Sequence, residues 1–464
     1  MKPVLLIDFG STYTKVTAVD VGSERILGTA GSYTTVQTDI NDGLQTAVAL
    51  LEKTTGPLEF SARYACSSAA GGLRMLAGGL VPELTAEAAR QAALGAGAKV
   101  LKVYSFQLVE EDIAEIDTIG PDIFLLTGGT DGGNTECILH NAEMLAGTGK
   151  QFPVIVAGNR TCAAKCKALL GERAIVCENV MPKLDSLNIQ PAQALVRDLF
   201  LKRIIQAKGL SKATELVSGI LMPTPAAMLD AMTLLADGAE GEAGVGELIG
   251  VDLGGATTDV YSIAHGHPTR SNTVVKGLPE PYAKRTVEGD IGMRYSIHGI
   301  VEAAGLQRIA QMAELPEAQA AQLVDMLAEH TDRLPDTQEL RRLDYALACC
   351  AVETAVTRHA GTIEEVYTPM GISFMQMGKD LGNVKTIVAT GGALINSESP
   401  GQIACGALAK PERPGSLCPR AAEILVDKRY ILAAMGLLGK YHPQTALRIM
   451  KKELQVYGTS QQKA

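Results

Sequence analysis

One pattern occurs twice in this chain, and it constrains the fold more than any other feature. Leu6-Ile7-Asp8-Phe9-Gly10-Ser11-Thr12-Tyr13-Thr14 and Gly250-Val251-Asp252-Leu253-Gly254-Gly255-Ala256-Thr257-Thr258 each end an apolar run with an acid. An apolar residue, a glycine and a small hydroxyl-rich turn follow, and each copy runs into another β-rich segment. That grammar is strand, tight turn, strand, so a hairpin is expected at both places. Two copies far apart in the chain read as one supersecondary unit used once per lobe. The residue types also carry chemistry. A turn of Gly, Ser and Thr offers backbone N–H groups in a concave array that suits phosphate oxygens. A carboxylate at each strand end suits hydrated Mg²⁺, which takes few direct carboxylates and keeps several waters. Two such hairpins facing each other would hold a nucleotide phosphate tail from both sides.

The rest of the chain sorts around these hairpins. A third strand is expected near Ile26–Tyr33, and a helix near Asp42–Lys53 with Leu44, Val48 and Leu51 on one face. Between about 80 and 240 short β-rich runs (Lys99–Leu108, Ile123–Leu126, Val154–Val156, Ala174–Cys177) alternate with helix-like stretches (Ala86–Leu94, Thr135–Leu145, Arg160–Leu170). This is the pattern of a parallel sheet. Thr127-Gly128-Gly129-Thr130-Asp131-Gly132-Gly133-Asn134 falls at the carboxyl end of one such run, where open α/β sheets place ligands. It reads equally as a third phosphate-facing loop or as part of a partner-binding insertion. Gly238–Gly246 reads as a linker. Helices are expected from about 300 to 360 and at about 428–439 and 443–455. A strand at Thr386–Thr390 runs into Gly391-Gly392.

Composition excludes several classes. The 464 residues carry a net charge of −9 and 46% hydrophobic residues, which fits a folded chain and not a disordered one. An acidic total argues against non-specific nucleic-acid or membrane-surface binding. No window reaches the roughly 20 apolar residues of a membrane span. The first residues do not read as a signal peptide, so a cytoplasmic location is expected. The nine Cys lack disulfide-framework or zinc spacing and read as buried reduced thiols. No P-loop and no nucleophile elbow is present. The 48 Gly, against a usual share of about 7%, demand positive φ angles or close backbone approaches somewhere.

The two hairpins and Ile387-Val388-Ala389-Thr390-Gly391-Gly392-Ala393 resemble the two phosphate motifs and the adenosine motif of the actin, sugar-kinase and heat-shock-chaperone ATPase superfamily. Their order and spacing agree over essentially the whole chain. The resemblance implies an α/β fold of two ribonuclease-H-like lobes that close over Mg-ATP, with an α/β insertion in the first lobe. On this basis residues 1–98 belong to the first lobe, 99–240 complete it or are inserted in it, and 246–430 form the second. Residues 431–464 would pack back on the first lobe as helices. A narrower resemblance rests on Thr127–Asn134, Val156-Ala157-Gly158-Asn159 and Lys284-Arg285-Thr286-Val287-Glu288-Gly289-Asp290-Ile291-Gly292-Met293-Arg294. These are similar to the accessory protein family of glutamate (methylaspartate) mutase. That family shares a name with a mismatch-repair protein to which nothing here is similar. The resemblance implies ATP-driven release of damaged cobalamin from an adenosylcobalamin-dependent mutase, glutamate mutase or a related aminomutase.

Site residues follow from the motifs. Asp8 and Asp252 are expected to contact Mg²⁺ through water, one of them also placing the attacking water. Gly10, Ser11, Thr12, Gly254, Gly255, Thr257 and Thr258 are the phosphate-facing candidates, with Lys15 either reaching a phosphate or standing as a solvated strand lysine. Gly391 and Gly392 would allow close approach to an adenosine. Glu288, with Asp290, is a candidate for contact with ribose or the catalytic water, unless Arg285 and Arg294 pair with these acids. ATP and Mg²⁺ are thus the expected cofactors, and the mutase and ATP/ADP the expected partners, with homo-oligomerisation left open. Two other readings share the fold. A small-molecule kinase would consume ATP when given a sugar or acid, without the mutase, and an actin-like scaffold would sediment with nucleotide.

Overall fold

The computed structural model describes residues 2–10, 13–33, 40–68, 73–184, 186–207, 220–369 and 371–461. Strands β1 (Val4–Phe9), β2 (Tyr13–Asp20) and β3 (Arg25–Tyr33) form an antiparallel meander. Helix α1 (Ile40–Thr55) covers it, with Leu44 and Leu51 buried against Leu5, Ile7 and Phe9. Strand β4 (Ala62–Ser67) then runs parallel to β1. The next strand of this sheet comes only after a long excursion.

That excursion is a second sheet. Strands β5 (Arg74–Gly79), β6 (Lys99–Ser105), β7 (Ile123–Leu126), β8 (Val154–Val156) and β9 (Ala174–Val176) are all parallel, in the order β6-β5-β7-β8-β9. Helices α2 (Glu87–Gly95), α3 (Glu110–Ile119), α4 (Glu136–Ala146), α5 (Ala163–Leu170) and α6 (Gln190–Ala207) connect them or follow. Met75, Ala77, Ile123 and Leu125 pack with residues of α2 and α6, while Leu76, Phe124 and Leu126 pack with residues of α3, α4 and α5. Burial on both faces is why these strands read as unbroken apolar runs rather than alternating ones. The insertion therefore begins at Arg74, earlier than the expected boundary at residue 99, because β5 pairs with β6 and β7 and not with the first sheet. Strand β10 (Ile220–Pro223) closes the first sheet beside β4, in the order β10-β4-β1-β2-β3. Helix α7 (Thr224–Asp237) follows.

The segment expected to be a linker is instead a locked ribbon of β11 (Gly238–Ala239) and β12 (Glu242–Ala243). The amides of Val245 and Gly246 bond back to Leu235 and Ala236, and any side chain at Gly244 would collide with Ala236 O. Glycine is used there for close approach, not for flexibility. Strands β13 (Leu248–Leu253), β14 (Thr258–Ile263) and, after a side strand β15 (Thr273–Lys276), β16 (Ala283–Glu288) repeat the antiparallel meander. Helices α8 (Ile297–Ala304), α9 (Leu306–Met312), α10 (Glu317–Glu329) and α11 (Gln338–His359) then build the second core. Strands β17 (Thr362–Thr368) and β18 (Gly371–Met377) join β15 in a small sheet that the sequence reading did not anticipate.

Strand β19 (Thr386–Thr390) lies parallel to β13. Short helices α12 (Gly392–Ile395) and α13 (Pro400–Ala404) lead to β20 (Ala421–Val426), parallel to β19. Helices α14 (Leu432–Gly439) and α15 (Pro443–Glu453) precede β21 (Gln455–Gln461), antiparallel to β20. The second sheet is β16-β14-β13-β19-β20-β21. Apart from the added β21, its order and strand directions match those of β3-β2-β1-β4-β10. The chain thus contains two ribonuclease-H-like sheets, with the α/β insertion in the first.

The chain divides into two compact units: Met1–Asp230 with Gly277–Pro279 and Gly436–His442, and Ala231–Lys276 with Glu280–Met435 and Pro443–Ala464. Of the final residues, only Gly436–His442 group with the first unit, where Tyr441 stacks on Tyr64 at 4.4 Å. The residues from Pro443 onward group with the second, because β21 extends its sheet. Among the described residues no helix is long and apolar enough to cross a membrane. None of the nine Cys forms a disulfide, and seven of them are buried.

Candidate functional site

In the first unit Asp8 stands near the end of β1, 7% exposed. Its Oδ1 accepts the Thr224 hydroxyl at 2.6 Å and the Cys66 thiol at 3.5 Å. Cys66 is fully buried, and burial, followed by the charge of Asp8, pushes its pKa well above the usual thiol range. It therefore stays protonated and acts as a donor. Lys15 is the direct ladder partner of Asp8, so both side chains stand on one face of the sheet. The turn closes through a bond from the Gly10 amide to Tyr13 O at 3.0 Å. A Cβ at Gly10 would lie 2.5 Å from that oxygen, so only glycine makes the turn. Ser11 and Thr12 lie outside the described residues.

The second unit repeats this construction with different support. Asp252 is half-buried near the end of β13, and its Oδ2 accepts a long 3.5 Å hydrogen bond from the Tyr430 hydroxyl. The Gly254 amide bonds to Thr257 O at 3.0 Å, and a Cβ at Gly254 would lie 2.9 Å from the same oxygen. Gly255 is exposed and Thr257 half-buried at the turn. The segment after β16 clamps this turn from outside. Met293 N donates to Gly254 O, and the amides of Arg294 and Tyr295 donate to Gly255 O at 2.8 and 2.9 Å. The Ser296 hydroxyl donates to Ala256 O at 2.7 Å. A side chain at Gly292 would strike the backbone of Ala256. The glycines of the Glu288–Met293 stretch thus let one backbone lie across another.

Several expected residues take other places. Thr258 is fully buried and donates its hydroxyl to Ile291 O at 2.8 Å, so it fastens the clamp rather than facing outward from the turn. Glu288 ends β16 opposite Thr258, and its carboxylate receives Arg358 at 2.8 Å; Asp290 receives the same guanidinium at 2.9 Å. Arg285 and Arg294 form ion pairs with other acids. The buried Arg285 pairs with the half-buried Asp259 at 2.6 Å, and Arg294 pairs with Asp344 at 2.8 Å. Gly391 has φ of 102°, and a Cβ there would lie 2.5 Å from Leu253 N. Its glycine is demanded by packing on β13. Gly392 is exposed with nothing within 4 Å of its Cβ position, so it is the open one of the pair.

The Thr127–Asn134 loop belongs to the insertion. It follows β7 at the point where the order β6-β5-β7 changes direction. Asn159, fully buried, accepts from Gly132 N at 3.0 Å and donates to Gly133 O and Asn134 O. Asn179 donates to Gly129 O and Asp131 Oδ1, both at 3.0 Å. The buried Thr127 hydroxyl bonds Gly78 O and Thr85 O. These bonds hold the loop within the insertion, and it is not part of either hairpin.

Sequence reasoning missed Thr224, Cys66 and Tyr430. Thr224 lies 216 residues from Asp8 and Tyr430 lies 178 from Asp252, and no local pattern marks either.

A family profile described as MutL protein matches residues 4–454. The chain belongs to the MutL family. It is 49% identical to the Protein MutL of Clostridium tetanomorphum over 462 residues, covering 98% of this chain and 99% of that one. The accessory-protein resemblance read from the sequence is thereby shown. Solved structures similar to the chain include the activator of the 2-hydroxyisocaproyl-CoA dehydratase from Clostridium difficile with bound ADPNP, at 9% identity and TM-score 0.31, covering 97% of both chains. Xylulose kinase from Bifidobacterium adolescentis is similar at 13% identity and TM-score 0.34, covering 99% of this chain and 96% of that one. The fold itself stands on the repeated strand order.

Proposed function

We propose that this accessory protein uses Mg-ATP to release damaged cobalamin from an adenosylcobalamin-dependent mutase, glutamate mutase or a related aminomutase. The observation that carries the reading is the recurrence of an acid, a forced glycine turn and matching strand order in both sheets of a MutL-family chain. Tight turns that only glycine makes at Gly10 and Gly254, beside Asp8 and Asp252, fit a phosphate tail and a hydrated cation. Asp8 and Asp252 would hold Mg²⁺ through water, and the cation would supply charge neutralisation at the phosphates. Ser11, Thr12, Gly255 and Thr257 would donate to phosphate oxygens, while Gly10 and Gly254, whose amides close the turns on Tyr13 O and Thr257 O, would shape the two loops around them. Lys15, on the Asp8 face, would add a positive charge. Gly392 would leave room for adenosine beside Gly391. Glu288, held by Arg358, would orient water or ribose rather than act as a free base.

The test is to inactivate the mutase by turnover and then add this protein, ATP, Mg²⁺ and fresh adenosylcobalamin. Recovery of activity is expected. Asp8→Ala and Asp252→Ala are expected to abolish both recovery and ATP turnover. No recovery with folded wild-type protein would sink the reading, and normal hydrolysis in either variant would remove that residue's role.

A further inference from the structure

Each strand-end acid receives a hydroxyl from the same topological position of its own sheet. Thr224 follows β10, the strand beyond β4, and donates to Asp8 at 2.6 Å. Tyr430 follows β20, the strand beyond β19, and donates to Asp252 at 3.5 Å. The two are unlike as residues and unlinked in sequence pattern, so the shared placement is a property of the fold. A carboxylate with one oxygen fixed by a donor presents the other in a defined direction, as outer partners of ligating carboxylates do.

The second unit holds its donor against a conformational cost. Tyr430 has φ of 53°, a left-handed conformation that a tyrosine adopts only under constraint. The constraint is visible. Asp427, 2% exposed, accepts the amides of Ile431 and Leu432 at 3.0 Å each, and Tyr430 N donates to Asp427 O at 3.2 Å. Strain held this firmly at a strand end marks a position selected for where its side chain points. In the first unit the buried Cys66 thiol joins Thr224 on Asp8 Oδ1, so both donors act on one oxygen.

We propose that Thr224 and Tyr430 are positioning residues, one per unit, that aim the carboxylates of Asp8 and Asp252 toward the water-held cation of the nucleotide. This rests on the Mg-ATP reading above. Both hydroxyls lie at or just before the start of helices α7 and α14, within which the chain passes from one unit to the other, after Asp230 and after Met435. A shift of either helix would re-aim the acid that its hydroxyl holds.

The experiment measures ATP hydrolysis by the full chain against ATP and Mg²⁺ concentration and, without turnover, the Mg²⁺ dependence of ADP binding by calorimetry, with thermal unfolding as the fold control. Thr224→Val is expected to lower kcat about tenfold and to raise the half-saturating Mg²⁺ concentration. KM for ATP should move less than about twofold, and Thr224→Ser should restore the rate. Tyr430→Phe should lower kcat about threefold, in keeping with its longer bond. Should Thr224→Val not fold, Thr224→Ala against Thr224→Ser makes the same comparison. A folded Val or Ala variant with wild-type kcat and Mg²⁺ dependence would overturn the inference, as would a Ser variant no faster than it. A wild type with no ATP turnover would instead overturn the nucleotide reading, so the two failures are distinct.

Discussion

Asp252 stands directly opposite Asp259 in the β13–β14 ladder, at the place where the first unit sets Lys15 opposite Asp8. Like charges facing across a ladder are unfavourable, and here Arg285 resolves the conflict by pairing with Asp259 at 2.6 Å. Burial works against the Arg285 charge, but Asp259 and Tyr261 outweigh it and hold the guanidinium pKa above its usual value. Arg285→Met leaves Asp259, a half-buried acid, without its cation beside Asp252. It should lower the unfolding free energy by about 3–5 kcal/mol, read from urea midpoints. The double change Arg285→Met with Asp259→Leu should recover much of this. A single variant as stable as wild type would contradict the account.

The two adjacent glycines after β19 should respond differently to the same change. Gly391→Ala forces a Cβ onto the Leu253 backbone at a φ that disfavours it, and a loss of about 3 kcal/mol is expected. Gly392→Ala meets open space and should stay within about 0.5 kcal/mol. Equal effects in chemical unfolding would show that the pair is a simple turn.

Lys379 supplies a pH dependence. It is fully buried, with Nζ bonded to Tyr282 O at 2.7 Å and to Ser262 O and Oγ at 3.3 Å. Burial, then the charge of Lys284, pushes its pKa down to about 7. Between that value and the ordinary lysine pKa the unfolded chain binds the extra proton, so this residue makes stability rise with pH in that window. Below about pH 7 both states are protonated and its contribution is flat. Unfolding midpoints of wild type and Lys379→Met from pH 6 to 10 should differ in slope above pH 7. Parallel curves would exclude Lys379 as the source.

Glu353 is a buried hub for three cations. Arg308 bonds both its oxygens, Lys410 bonds Oε2, and Arg413 approaches Oε1 at 3.3 Å. Burial alone would raise its pKa, but the hydrogen bonds from Arg308 and Lys410 prevail and hold it below the usual carboxylate value. Its stabilisation is therefore present above that usual value and is lost as the pH falls through the folded one. Glu353→Gln should cost about 3 kcal/mol at neutral pH, with the gap to wild type narrowing in acid. A gap that widens in acid would contradict the pairing.

Much of the fold was legible because its signals are local. The strands β1, β7, β8, β13, β14 and β19 announce themselves as short apolar runs bounded by acids or glycines, and α1 by Leu44, Val48 and Leu51. The small sheet of β15, β17 and β18 was not legible, since Glu364, Glu365 and the exposed Tyr367 give β17 neither alternation nor an apolar run. The Gly238–Gly246 segment misled for a related reason. Composition reports that glycine is needed, but not whether the need is freedom or proximity, and Ala236 supplies the answer.

The sequence by itself determined the two hairpins, because an acid, an apolar residue and a glycine turn act within a few residues of one another. Only the tertiary structure decided what surrounds each acid. Thr224 and Cys66 reach Asp8, Tyr430 reaches Asp252, and Arg358 takes Glu288 and Asp290 in place of the nearer Arg285. Parallel pairing of β1 with β4 and of β4 with β10, and of β13 with β19 and of β19 with β20, brings those partners in from far along the chain. Such pairing is set by the burial of whole sheets and leaves no mark beside the acid itself.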